Sequence, residues 1–227
     1  MSERSRKRDA SAERIYLVDE RAREVPPEQE LLLFLSLIGS NGRRGRLAFP
    51  VTVTSLVERV VRGTGLEVER TPASLASLTR AAARDGVVFA GSASGGFVFP
   101  EFVPGYDGVA SLCKLLELLA RVERPLSALV AELPTPRVVH RELRCPWARK
   151  GAVMRVLSER MKDREVDTLD GIKVFDERGW AQVLPDPAEP IVHVFAEGAT
   201  EADLEGLDRE FTSLVEEIIA AGDEVSP

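Results

Sequence analysis

Between Arg46 and Phe99 short apolar runs alternate with helical patterns, and this alternation most restricts what the chain can become. Arg46–Val51, Leu66–Thr71, Val87–Ala90 and Phe97–Phe99 read as strands. A helix capped by Thr52 or Thr54 and running through Gly63 separates the first two, and an alanine-rich helix, Ser74–Arg84, separates the next two. Strands alternating with helices predict a parallel or mixed sheet covered by helices. Asp107–Val122 is apolar on most sides and reads as a deeply buried helix. A further helix begins at Pro125 and ends near Leu133.

Upstream, Arg14–Asp19 reads as a strand, and Pro26 and Pro27 open a helix, Glu28–Ile38. The glycine-rich run Gly39–Gly45 is the expected boundary between this segment and the domain that follows. Pro134 and Pro136 mark a second linker. Beyond it come a strand (Arg137–Arg144), a helix (Trp147–Met161), a hairpin (Ile172–Phe175 and Trp180–Leu184), a strand (Ile191–Ala196) and a long helix (Glu201–Ala221). That order predicts a small α+β domain with an antiparallel sheet and two helices on one side.

Composition removes several functional classes. Of 227 residues, 44% are hydrophobic and 30% charged, with a net charge of -7 and only 6% aromatic. A general nucleic-acid surface, basic and rich in stacking rings, is not expected. Two cysteines and two histidines are too few for a closed Cys/His zinc site. The longest apolar run, Leu31–Ile38, is far short of the roughly 20 residues needed to span a bilayer. Without a signal sequence, and with Cys113 and Cys145 as the only thiols, a cytoplasmic protein with reduced cysteines is expected.

Two loops have the composition of ligand sites. Gly91-Ser92-Ala93-Ser94-Gly95-Gly96 follows a strand and offers small residues and backbone amides; read by spacing alone, it is a flexible hairpin turn. Pro185-Asp186-Pro187-Ala188-Glu189-Pro190 is stiffened by three prolines and holds two acids in place; by itself it is a rigid surface turn. His193 lies between Val192 and Val194, so alternation puts it on the face opposite those valines, and His140 sits beside Arg141.

The order of these pieces resembles the C-terminal part of the α-D-phosphohexomutases, the phosphomannomutase/phosphoglucomutase family, from about Asp9 onward. The pattern D-x-D-x-D-R of that family's magnesium loop aligns with Asp9-Ala10-Ser11-Ala12-Glu13-Arg14. The sugar loop G-E-x-S-G-H aligns with Gly91–Gly96, keeping Gly91, Ser94 and Gly95 and placing Ser92 for the glutamate and Gly96 for the histidine. The phosphate loop R-P-S-G-T-E-P aligns with Leu184–Pro190, keeping Pro185, Glu189 and Pro190. There Leu184 stands for the arginine and Asp186 for the serine, while His193 aligns with a following arginine. Asp107-Gly108 and Asp170-Gly171-Ile172-Lys173 complete the ordered set.

The resemblance implies a mixed α/β phosphohexomutase-type domain three at residues 46–136 and a C-terminal domain at 137–227, with 1–45 a remnant of domain two. It implies a module of sugar-phosphate or sugar-nucleotide metabolism without mutase activity alone. The alternatives are a mutase half completed by a separate phosphoserine-bearing chain and a purely structural or partner-binding domain. A similar proline-rich acidic loop marks the mutase-like portion fused to some bacterial mannose-1-phosphate guanylyltransferases, which makes a nucleotidyltransferase chain a candidate partner. The implied site residues are Gly91, Ser92, Ser94 and Gly95 for sugar, Asp186, Glu189 and His193 at the phosphate position, and Asp9, Ser11 and Glu13 at the metal position. No catalytic residue is implied. A site with one carboxylate lost and one lengthened implies no cofactor and little magnesium affinity, and Asp186 implies weak or no binding of sugar phosphates.

Overall fold

A computed structural model describes residues 11–221. Its contacts divide the chain into two compact units, with the division along the sequence between Thr135 and Pro136.

The first unit is a four-stranded sheet of order β2-β1-β3-β4, with β1 (Gly45–Pro50), β2 (Leu66–Thr71), β3 (Val87–Gly91) and β4 (Phe97–Val98). β1 is parallel to both β2 and β3, and β4 turns back antiparallel to β3. One face carries α1 (Pro27–Ser40), α2 (Leu56–Val60), α4 (Gly108–Leu119) and α5 (Leu126–Glu132), gathered with Leu47, Phe49 and Phe89 into one core. The other face carries α3 (Leu75–Ala82) against Ala48, Ala90 and Val98. Phe34 of α1 stands at the centre of the larger core, 4.7 Å from the Phe97 ring and 5.6 Å from Phe89. Burying such rings is among the largest apolar contributions a domain of this size has.

Two expectations need correction. The described residues 11–45 do not stand as a unit apart from the strands and helices that follow. Leu31 through Leu35 are all fully buried in the same core as β1 and β3, and only the short connection of residues 41–44 separates α1 from β1 within the unit. An α1 that is apolar on every side can only sit inside a domain. Nor does Arg14–Asp19 form a strand. It makes single bridges, Arg14 with Gly96 and Val18 with Glu24, and Tyr16 and Val18 point to solvent. The segment ends in a turn in which the Asp19 carboxylate accepts the Arg21 and Arg23 N–H groups, both at 2.9 Å.

The second unit is a five-stranded antiparallel sheet of order β5-β9-β8-β7-β6: β5 (Val138–Arg144), β6 (Glu165–Asp167), β7 (Ile172–Asp176), β8 (Gly179–Pro185) and β9 (Ile191–Gly198). α6 (Trp147–Arg160) and α7 (Glu201–Ala220) both pack on the face formed by Val174, Ala181, Val183, Val192, Val194 and Ala196. α7 starts with a capping box in which Thr200 accepts from Asp203 N–H and Asp203 accepts from Thr200 N–H. The β7–β8 turn is tied to α7 by ion pairs of Arg164 and Arg178 with Asp176 and Glu210. The mixed α/β unit followed by a small α+β unit is the architecture expected from the sequence.

Candidate functional site

The loop from Ser92 to Gly96 joins β3 to β4, closed by the Ser92 N–H donating to the Gly96 carbonyl at 3.1 Å. Gly95 adopts φ +82°, a conformation that disfavours any side chain, and Ile15 N–H donates to its carbonyl at 3.2 Å. Ala12 accepts from the Gly108 N–H at 2.9 Å. The described part of the segment expected at the metal position, residues 11–14, therefore lies between the expected sugar loop and the start of α4.

The loop's polar groups turn toward the protein's own side chains. The Ser92 and Ser94 hydroxyls are 2.8 Å apart, and Ser92 is hydrogen-bonded to the Tyr106 phenol. The Tyr106 ring packs on Gly96, where an added Cβ would stand 2.7 Å from it. Burial raises the Tyr106 pKa, and the bond to Ser92 works against that. Tyr106 thus stands against the position that aligns with the family's histidine.

Beneath this loop Glu30 of α1 is fully buried. Its Oε1 accepts the Leu17 N–H at 2.6 Å, while Oε2 has no hydrogen-bond partner among the described residues. Burial pushes its pKa up from 4.5 to about 7.

Asp9 lies outside the described residues. Ser11 and Glu13 are both exposed, so the described part of that segment brings a single carboxylate. Magnesium takes several hard oxygen donors in octahedral array.

In the second unit, the loop between β8 and β9 is satisfied from within. Asp186 Oδ1 accepts the N–H groups of Ala188 at 2.7 Å and Glu189 at 2.6 Å, and Oδ2 faces His193 Nε2 at 3.0 Å. The His193 bond, reinforced by the two amides, draws the Asp186 carboxyl down to about 2. The backbone carbonyls of Asp186 and Glu189 accept hydrogen bonds from Lys150 Nζ of α6, which also lies 3.8 Å from the centre of the Trp147 ring. Cys145 N–H donates to the Pro190 carbonyl at 2.8 Å.

His193 continues the network to His140, whose Nε2 is 3.0 Å from His193 Nδ1. The β5–β9 register pairs Glu142 with His193 and His140 with Phe195, so all four occupy the face opposite the helices. The His140 ring is stacked on Phe195 with centroids 4.2 Å apart. Partial desolvation under its neighbours, and then the nearby His193, lower the His140 pKa, although the residue keeps an exposed edge. Cross-strand register brings His140, Glu142 and His193 together, and no local motif announces it.

The fold and these loops define a domain of the sugar-phosphate mutase type followed by an α+β domain. The chain belongs to the α-D-phosphohexomutase family. Residues 27–136 match the family model described as phosphoglucomutase/phosphomannomutase, alpha/beta/alpha domain III. A probable phosphoglucosamine mutase of Methanopyrus kandleri is 31% identical over 209 residues, covering 91% of this chain and 46% of that protein. A phosphoglucomutase/phosphomannomutase of Thermococcus kodakarensis is 28% identical over 195 residues, covering 85% and 42%. The crystal structure of a phosphoglucomutase/phosphomannomutase family protein from Burkholderia thailandensis superposes with a TM-score of 0.76 at 25% identity, over 91% of this chain and 45% of its own. An Aspergillus fumigatus N-acetylphosphoglucosamine mutase, solved with GlcNAc-6P and magnesium, shares the fold at 14% identity and a TM-score of 0.67, over 92% of this chain and 47% of its own. The chain spans about half the length of the relatives it matches. Among the described residues no helix is long and apolar enough to cross a membrane.

Proposed function

We propose that the chain is a phosphohexomutase-like module of cytoplasmic sugar-phosphate or sugar-nucleotide metabolism that does not interconvert hexose phosphates by itself. The observation that carries this reading is the Asp186 carboxylate, which takes up the amides of Ala188 and Glu189 in the loop aligned with the phosphate loop. A phosphate arriving there meets a fixed negative charge and two amides already engaged. Tyr106 against Gly96 supports the same reading for the sugar loop. A nucleotidyltransferase chain is the partner that the resemblance favours.

A coupled mutase assay tests the proposal, with glucose, mannose and glucosamine phosphates, magnesium and a bisphosphate activator. No turnover above buffer is expected. Turnover that persists in preparations freed of contaminating mutase overturns it.

One observation favours a second reading, a mutase half completed by another chain. Val109, Leu112 and Leu116 of α4 are 65%, 45% and 58% exposed, an apolar stripe at helical spacing. Turnover appearing only when a phosphoserine-bearing half is added would select this reading.

A further inference from the structure

We propose that His140, Glu142 and His193 form a binding site for one divalent transition-metal ion of the zinc type. A nitrogen of each histidine and an oxygen of Glu142 lie within 4.8 Å of one another. Two imidazole nitrogens and one carboxylate are a donor set that suits zinc, cobalt, nickel or copper, and disfavours magnesium, which takes oxygen. All three donors stand on adjacent antiparallel strands, with Glu142 and His193 directly paired. Their backbone positions are therefore held by the sheet.

The surroundings prepare the donors. His193 Nε2 faces Asp186 Oδ2 at 3.0 Å. An ionised carboxylate only accepts, so Nε2 carries the proton and Nδ1 presents its lone pair to His140 and Glu142. A carboxylate behind a histidine in this way fixes the tautomer and ring orientation of a metal ligand. Asp186 is itself anchored by the Ala188 and Glu189 amides between three prolines. The His140 ring is held flat on Phe195, with an interplanar angle of 4°.

The two facing nitrogens are 3.0 Å apart. Bonds of about 2.0–2.1 Å place neighbouring tetrahedral ligands about 3.3 Å apart, so a small opening of the rings admits an ion. The hydrogen bond between the rings gives way to two metal bonds. His140 then carries its proton on Nδ1, and no net proton is lost. Three protein donors leave a fourth position, and the exposure of His140 and Glu142 opens it to water.

The test uses the untagged, metal-stripped chain, whose only two histidines are these. Titration calorimetry with zinc at pH 7.5, with Cys113→Ser to remove the exposed thiol, is expected to show one site of micromolar or tighter affinity. Magnesium is expected to show none. His140→Ala and His193→Ala each lower zinc affinity by 100-fold or more, and Asp186→Asn lowers it about 10–100-fold. If a variant fails to fold, the parent chain still decides. Substoichiometric cobalt must broaden the NMR signals of both histidines, and the copper-loaded chain must show coupling to two imidazole nitrogens. Zinc affinity weaker than millimolar, affinity unchanged in His193→Ala, or cobalt leaving both histidine signals sharp overturns the proposal.

Discussion

The phenol ring of Tyr106 lies on Gly96 so closely that a Cβ at that glycine would come within 2.7–2.9 Å of three ring atoms. The ring and any side chain at position 96 exclude each other. Replacing Gly96 by the histidine that aligns there in the family is therefore expected to expel Tyr106 rather than rebuild a sugar loop. Overpacking of this kind costs about 1–3 kcal/mol. Gly96→His should lower the melting temperature, and adding Tyr106→Ala should recover part of the loss. A double-mutant cycle in urea measures the coupling.

Glu30 makes the first unit's stability depend on pH. Its folded pKa, about 7, is raised above its ordinary 4.5. A raised acid binds its proton more tightly when folded, so its contribution is full below about pH 4.5 and is lost as pH rises through 7. The size is on the order of 3 kcal/mol. Glu30→Gln keeps an acceptor for the Leu17 N–H and has no charge to bury. Urea melts at pH 5 and pH 8 should show the parent chain weakening at the higher pH, with that difference reduced in the variant.

Asp186 runs the other way. Its carboxyl is held at about 2 when folded, against 3.8 ordinarily. That contribution is present above pH 4 and falls away as pH drops toward 2. Mannose and glucose phosphates are expected to bind the parent chain at pH 7.5 more weakly than millimolar, by calorimetry. Asp186→Ser frees the Ala188 and Glu189 amides and removes the opposing charge. It should gain phosphate affinity by roughly tenfold, the equivalent of about 1.4 kcal/mol.

Gly171 tests the sheet of the second unit. It adopts φ +69°, and an added Cβ would stand 2.2 Å from the Val183 carbonyl of the neighbouring strand. Backbone cannot retreat from that contact without breaking the β7–β8 ladder. Gly171→Ala should cost roughly 3 kcal/mol or more and show as lost amide protection across β7 and β8.

The strands that alternate with helices, the proline-started α1 and the hairpin around Gly179 were legible because each rests on local chemistry: periodicity, a cap, a turn residue. Residues 14–19 have strand composition in Ile15, Leu17 and Val18, yet they find only two isolated bridges, one of them to Gly96 far along the chain, and no ladder forms. The domain edge at Gly39–Gly45 was misplaced for a related reason. A glycine-rich turn looks the same inside a domain as between two, and only the burial of α1 distinguishes them. β6 went unread because three residues, two of them acidic, carry no periodic signal. The loop residues Ser92, Ser94, Asp186 and His193 could be named from order and spacing. Their partners Tyr106, Lys150, His140 and Glu142 could not, since register and helix docking decide them.

The Asp186 carboxylate has a consequence in terms of competition. It is joined covalently to the amides it occupies, so its concentration at them does not fall when the protein is diluted, and washing cannot remove it. Any dissolved anion must displace a rival that never leaves. Selection on such a loop acts on one codon: a single change at position 186 decides whether those amides answer to the chain or to the solution.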